Sequence, residues 1–219
     1  DDRIKKLAFT GSVATGKILA ERCASRFIRF NAETGGKSPM IVDESYFESE
    51  EDYEKCVEWI MSGLVSNKGE ICSATTRLIA HKNIYAKLLE HLKRKIESLK
   101  IEATCPDEDA ELLLSEGEVD PSQTVDRQSK IGPLVSEIQY KKVWAYIETA
   151  KKEGCKLLCG GTKENVPKEG FFVPPTVFYD VEKTNTIWKE EIFGPVLSAR
   201  SYETIDEAID YATDSWNGL

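Results

Sequence analysis

One cysteine stands where its chemistry could be used. In Asn67-Lys68-Gly69-Glu70-Ile71-Cys72-Ser73-Ala74-Thr75-Thr76-Arg77, Cys72 falls in a turn between a helical run and the apolar segment Leu78-Ile79-Ala80. Gly69 lets the backbone turn tightly, and small hydroxyl residues follow. An accessible thiolate there would be a nucleophile. Buried free cysteines are common and inert, so this stretch alone leaves both readings open. A second arrangement is Leu7-Ala8-Phe9-Thr10, then Gly11-Ser12, then a helical run from Val13 to Ala24 with Gly16 in its first turn. Strand, glycine turn and helix N-terminus offer backbone N–H groups to a phosphate. Ser12 is either the N-cap or a phosphate donor, and a plain strand-to-helix connection is the other reading. Six cysteines, at 23, 56, 72, 105, 155 and 159, form no C-x-x-C pair. With His81 and His91 the only histidines, no zinc set is credible. Reduced thiols in a reducing compartment are the simpler reading.

The elements that must position these residues alternate between strand and helix. Leu7–Thr10 reads as a short buried strand and Phe27–Phe30 as a second. Glu33-Thr34-Gly35-Gly36-Lys37-Ser38-Pro39 breaks the pattern, because two glycines and a proline demand a tight connection. Met40–Val42 resumes as strand. Glu51–Val65 has helical spacing, with Tyr53, Cys56, Val57, Ile60 and Leu64 on one stripe. Arg77–Ala80 reads as strand. Ile84–Leu99 reads as helix with Leu88, Leu89, Leu92, Ile96 and Leu99 inward, and His91 beside that stripe as a structural or solvent-facing residue. Residues 105–130 are acidic and read as a solvated surface excursion. Tyr140–Lys152 reads as a helix stopped at Gly154. Lys156–Cys159, Phe171–Val177 and Ser198–Tyr202 read as extended, and Ile205–Ala212 as a last helix. The alternation predicts an α/β fold built on an open, mostly parallel twisted sheet.

The 219 residues suffice for one large domain or parts of two. Apolar content of 41% and charged content of 31% describe a globular chain. A net charge of −9 argues against nucleic acid and anionic membrane as partners, since both reward basic patches. No run approaches a spanning helix. The opening Asp1-Asp2-Arg3-Ile4-Lys5-Lys6 enters a strand-like run at once, so no signal peptide is expected.

Four segments then line up in order: Phe9-Thr10-Gly11-Ser12 with Gly16; Glu33 to Pro39; Gly69-Glu70-Ile71-Cys72; and Glu190-Glu191-Ile192-Phe193-Gly194-Pro195-Val196. Together they resemble the NAD(P)-dependent aldehyde dehydrogenase superfamily. The phrases Ser12-Val13-Ala14-Thr15-Gly16, Ile71-Cys72-Ser73-Ala74-Thr75 and Ile187-Trp188-Lys189-Glu190-Glu191 carry a narrower resemblance to plant-type betaine aldehyde and aminoaldehyde dehydrogenases. The resemblance implies the following roles. Cys72 attacks the aldehyde carbon, and its backbone N–H helps hold the oxyanion. Glu33 deprotonates the water that hydrolyses the thioester. Gly11 and Ser12 meet the cofactor pyrophosphate. The Thr34 backbone touches the nicotinamide, Glu191 hydrogen-bonds its ribose, and Phe193 packs near its ring. NAD or NADP is the implied cofactor, a small-molecule aldehyde the substrate, and the full-length protein is expected to be a homo-oligomer. Residues 1–33 would be the C-terminal part of the NAD(P)-binding domain, and 34–219 the thiol-bearing domain, incomplete at its C-terminus, with an acidic insertion near 105–130. An intracellular location is expected, whether cytoplasmic, plastid or peroxisomal.

The chain also departs from the family pattern. It resembles the central piece of a protein about twice as long or more, with most of the cofactor domain upstream. Thr34 stands where the family has Leu. Ser66 stands where betaine aldehyde dehydrogenases hold a Trp for a quaternary ammonium, and Ser supplies no cation–π contact. General aldehyde oxidation is therefore the firmer expectation. The alternative from another class is a truncated, non-catalytic homologue with a binding or structural role.

Overall fold

The computed structural model describes residues 1, 3–102 and 130–219. The acidic stretch expected as a surface excursion, 105–130, lies outside the described residues except for Lys130. The first unit is β1 (Lys6–Thr10), α1 (Val13–Ala24) and β2 (Arg29–Glu33). Its two strands pair in parallel, with Thr10 opposite Glu33. Ser12 caps α1: its Oγ accepts the Thr15 N–H at 3.2 Å.

Two expectations here are corrected. β1 is not buried: Lys6, Ala8 and Thr10 are exposed, and only Leu7 and Phe9 are half-covered, because one neighbouring strand and one helix shield a single face. Phe27 is not in a strand. It sits at φ 53° in the turn that ends α1 and is 99% exposed, and the strand begins at Arg29. That two-residue displacement carries β2 through to Glu33.

The larger unit is a five-stranded sheet of β3 (Pro39–Val42), β4 (Arg77–His81), β7 (Lys156–Cys159), β8 (Thr176–Tyr179) and β9 (Val196–Tyr202), in the order β3-β4-β9-β8-β7. Every pairing is parallel except β7 with β8. The mostly parallel α/β expectation is met. β4 is buried at all five positions, as a strand covered on both faces must be. Leu78 and Ala80 join one core with α2 (Glu50–Val65) and α3 (Lys82–Glu97). Ile79 joins the opposite core with α4 (Glu137–Lys152), the short α5 (Thr186–Lys189) and α6 (Ile205–Thr213). This is the period-two alternation of a strand dividing two helical layers. A further pair, β5 (Lys100–Ile101) with β6 (Lys130–Ile131), is parallel.

The stripe expected on α2 is buried in full, with Met61 added. His91 on α3 is buried, its Nδ1 lying 2.7 Å from Glu54 Oε1 and its ring stacked on Tyr53, so the structural half of its expected reading holds. Gly154 ends α4 at φ +80°. No helix among the described residues is long and apolar enough to cross a membrane.

Candidate active site

Cys72 is reached through a contorted turn. α2 runs into a short 3₁₀ piece, Ser66–Gly69, in which Asn67 (φ 46°), Lys68 (φ 61°) and Gly69 (φ 72°) are all left-handed. For a non-glycine residue that conformation costs about 1–2 kcal/mol, so surrounding structure must hold it. Asn67 Nδ2 donates to the Glu70 carbonyl at 3.1 Å, and the Glu70 N–H returns to the Asn67 carbonyl at 3.0 Å. The Glu70 carboxylate, itself buried, accepts the Val135 N–H at 3.2 Å on each oxygen and faces Lys68 Nζ at 3.5 Å. The turn is thereby fixed to the segment that leads into α4. Cys72 follows, half-buried.

Glycines let three other segments close on this turn. A Cβ on Gly36 would run into the Cys72 carbonyl oxygen, and one on Gly35 into the Glu191 carboxylate. A Cβ on Gly69 would sit 2.5 Å from the Gly194 carbonyl. Backbone therefore lies where a side chain would otherwise be. The Gly36 N–H donates to Glu191 Oε1 at 3.2 Å, fixing that carboxylate beside the loop that follows Glu33. Phe193 is left-handed at φ 59°, an uncommon state for a bulky residue. Gln139 on α4 holds it there, donating Nε2 to the Ile192 carbonyl at 3.1 Å and the Phe193 carbonyl at 2.6 Å.

The result is one cavity of about 480 Å³. Gly11, Ser12, Glu33, Thr34, Cys72, Glu191 and Phe193 all line it. Every site residue singled out from sequence thus reaches the same space, from segments up to 182 residues apart. Gly11 and Ser12 bring the N-terminus of α1, where first-turn N–H groups lack intrahelical partners. Thr34 packs on α1, its Cγ2 3.2 Å from where a Gly16 Cβ would stand. Thr10, Glu70 and Ile71, which stand in the quoted motifs but were given no role, and Gln139 and Lys142, which sequence reading did not single out, also line the cavity. Gln139 carries no local signal, since a glutamine in a first helical turn is ordinary. Glu70 had one: a carboxylate two residues from the candidate thiol.

Two buried cations, Arg77 and Lys37, meet at the segment that follows Glu33. Arg77 at the start of β4 is 1% exposed. Its Nε donates to the Lys37 carbonyl at 2.8 Å, and its terminal nitrogens donate to the carbonyls of Tyr211, Ala212 and Asp214 at 2.8–3.2 Å. A guanidinium is suited to the C-terminal end of α6, where unpaired carbonyls and the helix dipole favour positive charge. Arg77 also lies 5.3 Å from the Trp188 ring centroid. The Lys37 side chain is 1% exposed, and its Nζ has no hydrogen-bond partner among the described residues. Burial is the chief cause that pushes its pKa down to about 7, with Arg77 acting in the same direction and Glu191 and Glu190 opposing. Cys56 and Cys159, buried in the sheet-facing core, have thiols pushed up by burial, to about 11 and about 12. No cluster among the described residues could hold a metal ion.

Comparison with known proteins gives this arrangement its kin. The aldehyde dehydrogenase family model matches residues 1–219. A chloroplastic betaine aldehyde dehydrogenase of Amaranthus hypochondriacus is 37% identical over 216 residues, 99% of this chain and 38% of that protein. The peroxisomal aminoaldehyde dehydrogenase 2 of Malus domestica is 38% identical with the same coverage. The solved NAD-dependent aldehyde dehydrogenase of Sinorhizobium meliloti superposes with a TM-score of 0.83 at 32% identity, covering 100% of this chain and 38% of that one. An NAD⁺ complex of aldehyde dehydrogenase from Bacillus cereus superposes at 0.81 with 34% identity, covering 100% and 39%. This chain spans about 38% of the length of those curated relatives. By the match over all of its residues, the chain belongs to the aldehyde dehydrogenase family.

Proposed function

We propose that this chain carries the thiol, the base and part of the cofactor site of an NAD(P)-dependent aldehyde dehydrogenase. The observation that carries the reading is the meeting of Cys72 and Glu33 in one cavity with the α1 N-terminus and Glu191. Residues 1–33 then form the end of the cofactor domain and 34–219 the thiol-bearing domain.

The residues present fit a dinucleotide. The α1 N-terminus at Gly11 and Ser12 suits a pyrophosphate. Glu191, held by the Gly36 N–H, offers its carboxylate oxygens to ribose hydroxyls. Phe193 would pack near the nicotinamide ring, and the Thr34 backbone would touch it. When bound, NAD⁺ or NADP⁺ supplies the hydride acceptor. The chain's own residues do the rest. Cys72 Sγ, as thiolate, adds to the aldehyde carbon, and the Cys72 N–H shares in holding the oxyanion. Once the carbon has been oxidised to a thioester on Sγ, Glu33 takes a proton from the attacking water. The acid leaves and the thiolate is restored. The relatives' names favour betaine aldehyde or an aminoaldehyde as substrate.

The test is aldehyde-dependent NADH or NADPH formation by the full-length protein, with Cys72→Ser and Glu33→Gln as variants. Loss of turnover in Cys72→Ser, and acyl-enzyme accumulation in Glu33→Gln, are the expected results. Wild-type protein without turnover on any aldehyde would overturn the reading in favour of a non-catalytic homologue.

A further inference from the structure

Glu191 is anchored through its neighbours on both sides. The residue before it, Glu190, ends α5, its N–H donating to the Thr186 carbonyl at 2.9 Å. The Glu190 side chain is caught separately: Tyr146 Oη donates to Glu190 Oε2 at 2.7 Å. The two residues after Glu191 are held by Gln139, through the Ile192 and Phe193 carbonyls. Gln139, Val143 and Tyr146 fall at i, i+4 and i+7 on α4, one stripe of the helix. Val143, between the other two, packs on Gly194, where a Cβ would sit 2.5 Å from its Cγ2. α4 thus splints the run from Glu190 to Gly194, with one anchor ahead of Glu191 and two behind it.

The anchor ahead of Glu191 is a hydroxyl on a carboxylate, a charge-assisted bond stronger than a neutral one. Tyr146 is half-buried, and burial pushes its pKa up, with the bond to Glu190 acting in the same direction. The phenol therefore keeps its proton and stays the donor. Lys142, which lines the cavity, places its Nζ 5.9 Å from the Tyr146 ring centroid. Neither Tyr146 nor Glu190 is among the described residues that line the cavity. Whatever Tyr146 does for a ligand there, it does through Glu190 and the residue that follows it.

Resting on the reading of Glu191 as the carboxylate that meets the nicotinamide ribose, we propose that Tyr146 is a positioning residue for the cofactor. Its hydroxyl holds Glu190 and so sets where Glu191 presents its carboxylate, opposite the Gly36 N–H. Without the hydroxyl the Glu190 side chain is released, and Glu191 keeps only the Gly36 and Gln139 anchors. The nicotinamide half of the dinucleotide is then held less well, and the adenosine half is not affected.

The test is binding by the full-length protein and its Tyr146→Phe variant, with NADH and NADPH read by fluorescence. AMP, read by calorimetry, is the probe that lacks both the nicotinamide and its ribose. Tyr146→Phe should raise the Kd of the reduced dinucleotide roughly 3- to 10-fold, the range of a charged hydrogen bond that solvent partly replaces. AMP should bind both proteins alike. In turnover, KM for the oxidised cofactor should rise by the same factor, with KM for the aldehyde unmoved. Glu190→Ala should show the same rise, and the double variant no more than either single one. Glu190→Gln, whose amide oxygen still accepts from the phenol, should recover most of the affinity. An unchanged dinucleotide Kd in Tyr146→Phe, an equal loss of AMP and dinucleotide, or additive losses in the double variant would overturn the proposal. Wild type that binds AMP but neither reduced dinucleotide would overturn the reading of Glu191 itself, and the proposal with it.

Discussion

Gly69→Ala tests whether the closeness of two backbone segments sets the geometry of the thiol. Gly69 is left-handed at φ +72°, and a Cβ there would lie 2.5 Å from the Gly194 carbonyl, 0.9 Å short of the 3.4 Å at which ordinary contact begins. Nothing flexible can yield, because the obstacle is backbone on both sides. The Cys72 turn and the Glu191–Phe193 segment must therefore separate by most of an ångström. A misplacement of about 1 Å can cost about 100-fold in rate, which is about 2.7 kcal/mol in the barrier. Gly154 provides the control. It too is left-handed, at φ +80°, but a Cβ there meets nothing within 4 Å. Gly154→Ala bears only the conformational penalty, about 1–2 kcal/mol. At about 2–4 °C per kcal/mol for a domain of this size, its Tm should fall by about 2–8 °C with kcat/KM intact. Gly69→Ala should lose at least as much stability and also about 100-fold in kcat/KM for aldehyde oxidation. The assays are steady-state NAD(P)H formation and a calorimetric melt of both variants. A Gly69→Ala protein within threefold of wild type in kcat/KM, melting like Gly154→Ala, would refute the reasoning.

Arg77→Leu leaves carbonyls of Lys37, Tyr211, Ala212 and Asp214 without their donor. Each buried unsatisfied group costs about 1–3 kcal/mol, so a loss of about 3 kcal/mol or more is expected in chemical denaturation. Lys37 predicts a pH effect of definite sign. With a folded pKa of about 7 against an ordinary 10.5, the unfolded state binds more protons between those values, so this residue's contribution makes stability rise with pH there. The slope approaches 1.4 kcal/mol per unit. Lys37→Met should remove it and be the more stable protein at pH 7; parallel wild-type and Lys37→Met profiles from pH 7 to 10 would contradict the burial argument. Finally, limited iodoacetamide at pH 8 followed by peptide mapping should label Cys72 well before Cys56 or Cys159, whose burial suppresses the thiolate.

The α/β class and its mostly parallel sheet were legible because short apolar strands alternate with helices of clean period such as α2 and α3, and the caps at Ser12 and Gly154 are written in residue type; the strand order was not. β1 was misjudged because an apolar strand announces a buried face but not which neighbours cover it. Phe27 was misjudged because a left-handed phenylalanine at a helix end resembles the start of a strand. The candidate thiol, base and cofactor residues were legible only as ordered motifs. What brings them together was not: Gln139 across 53 and 54 residues to Ile192 and Phe193, and Glu70 across 65 to Val135, are contacts that no local pattern encodes.

The site's precision comes from removing side chains where segments meet and adding buried cations where they are tied. Gly35, Gly36 and Gly69 let backbone approach carboxylate or carbonyl, a gain no other residue type permits. Such contacts are short but supply little cohesion. Arg77 supplies it from one point, binding the segment after Glu33, the end of α6 and, through Trp188, the segment before Glu191. Arg77 itself lies five residues after Cys72, so its contacts tie the strand that follows the thiol turn to all three of these segments. A change at Arg77 should therefore disturb Cys72, Glu33 and Glu191 together. Changes at the glycines should separate them pairwise, Gly36 acting on Cys72 and Gly35 on Glu191.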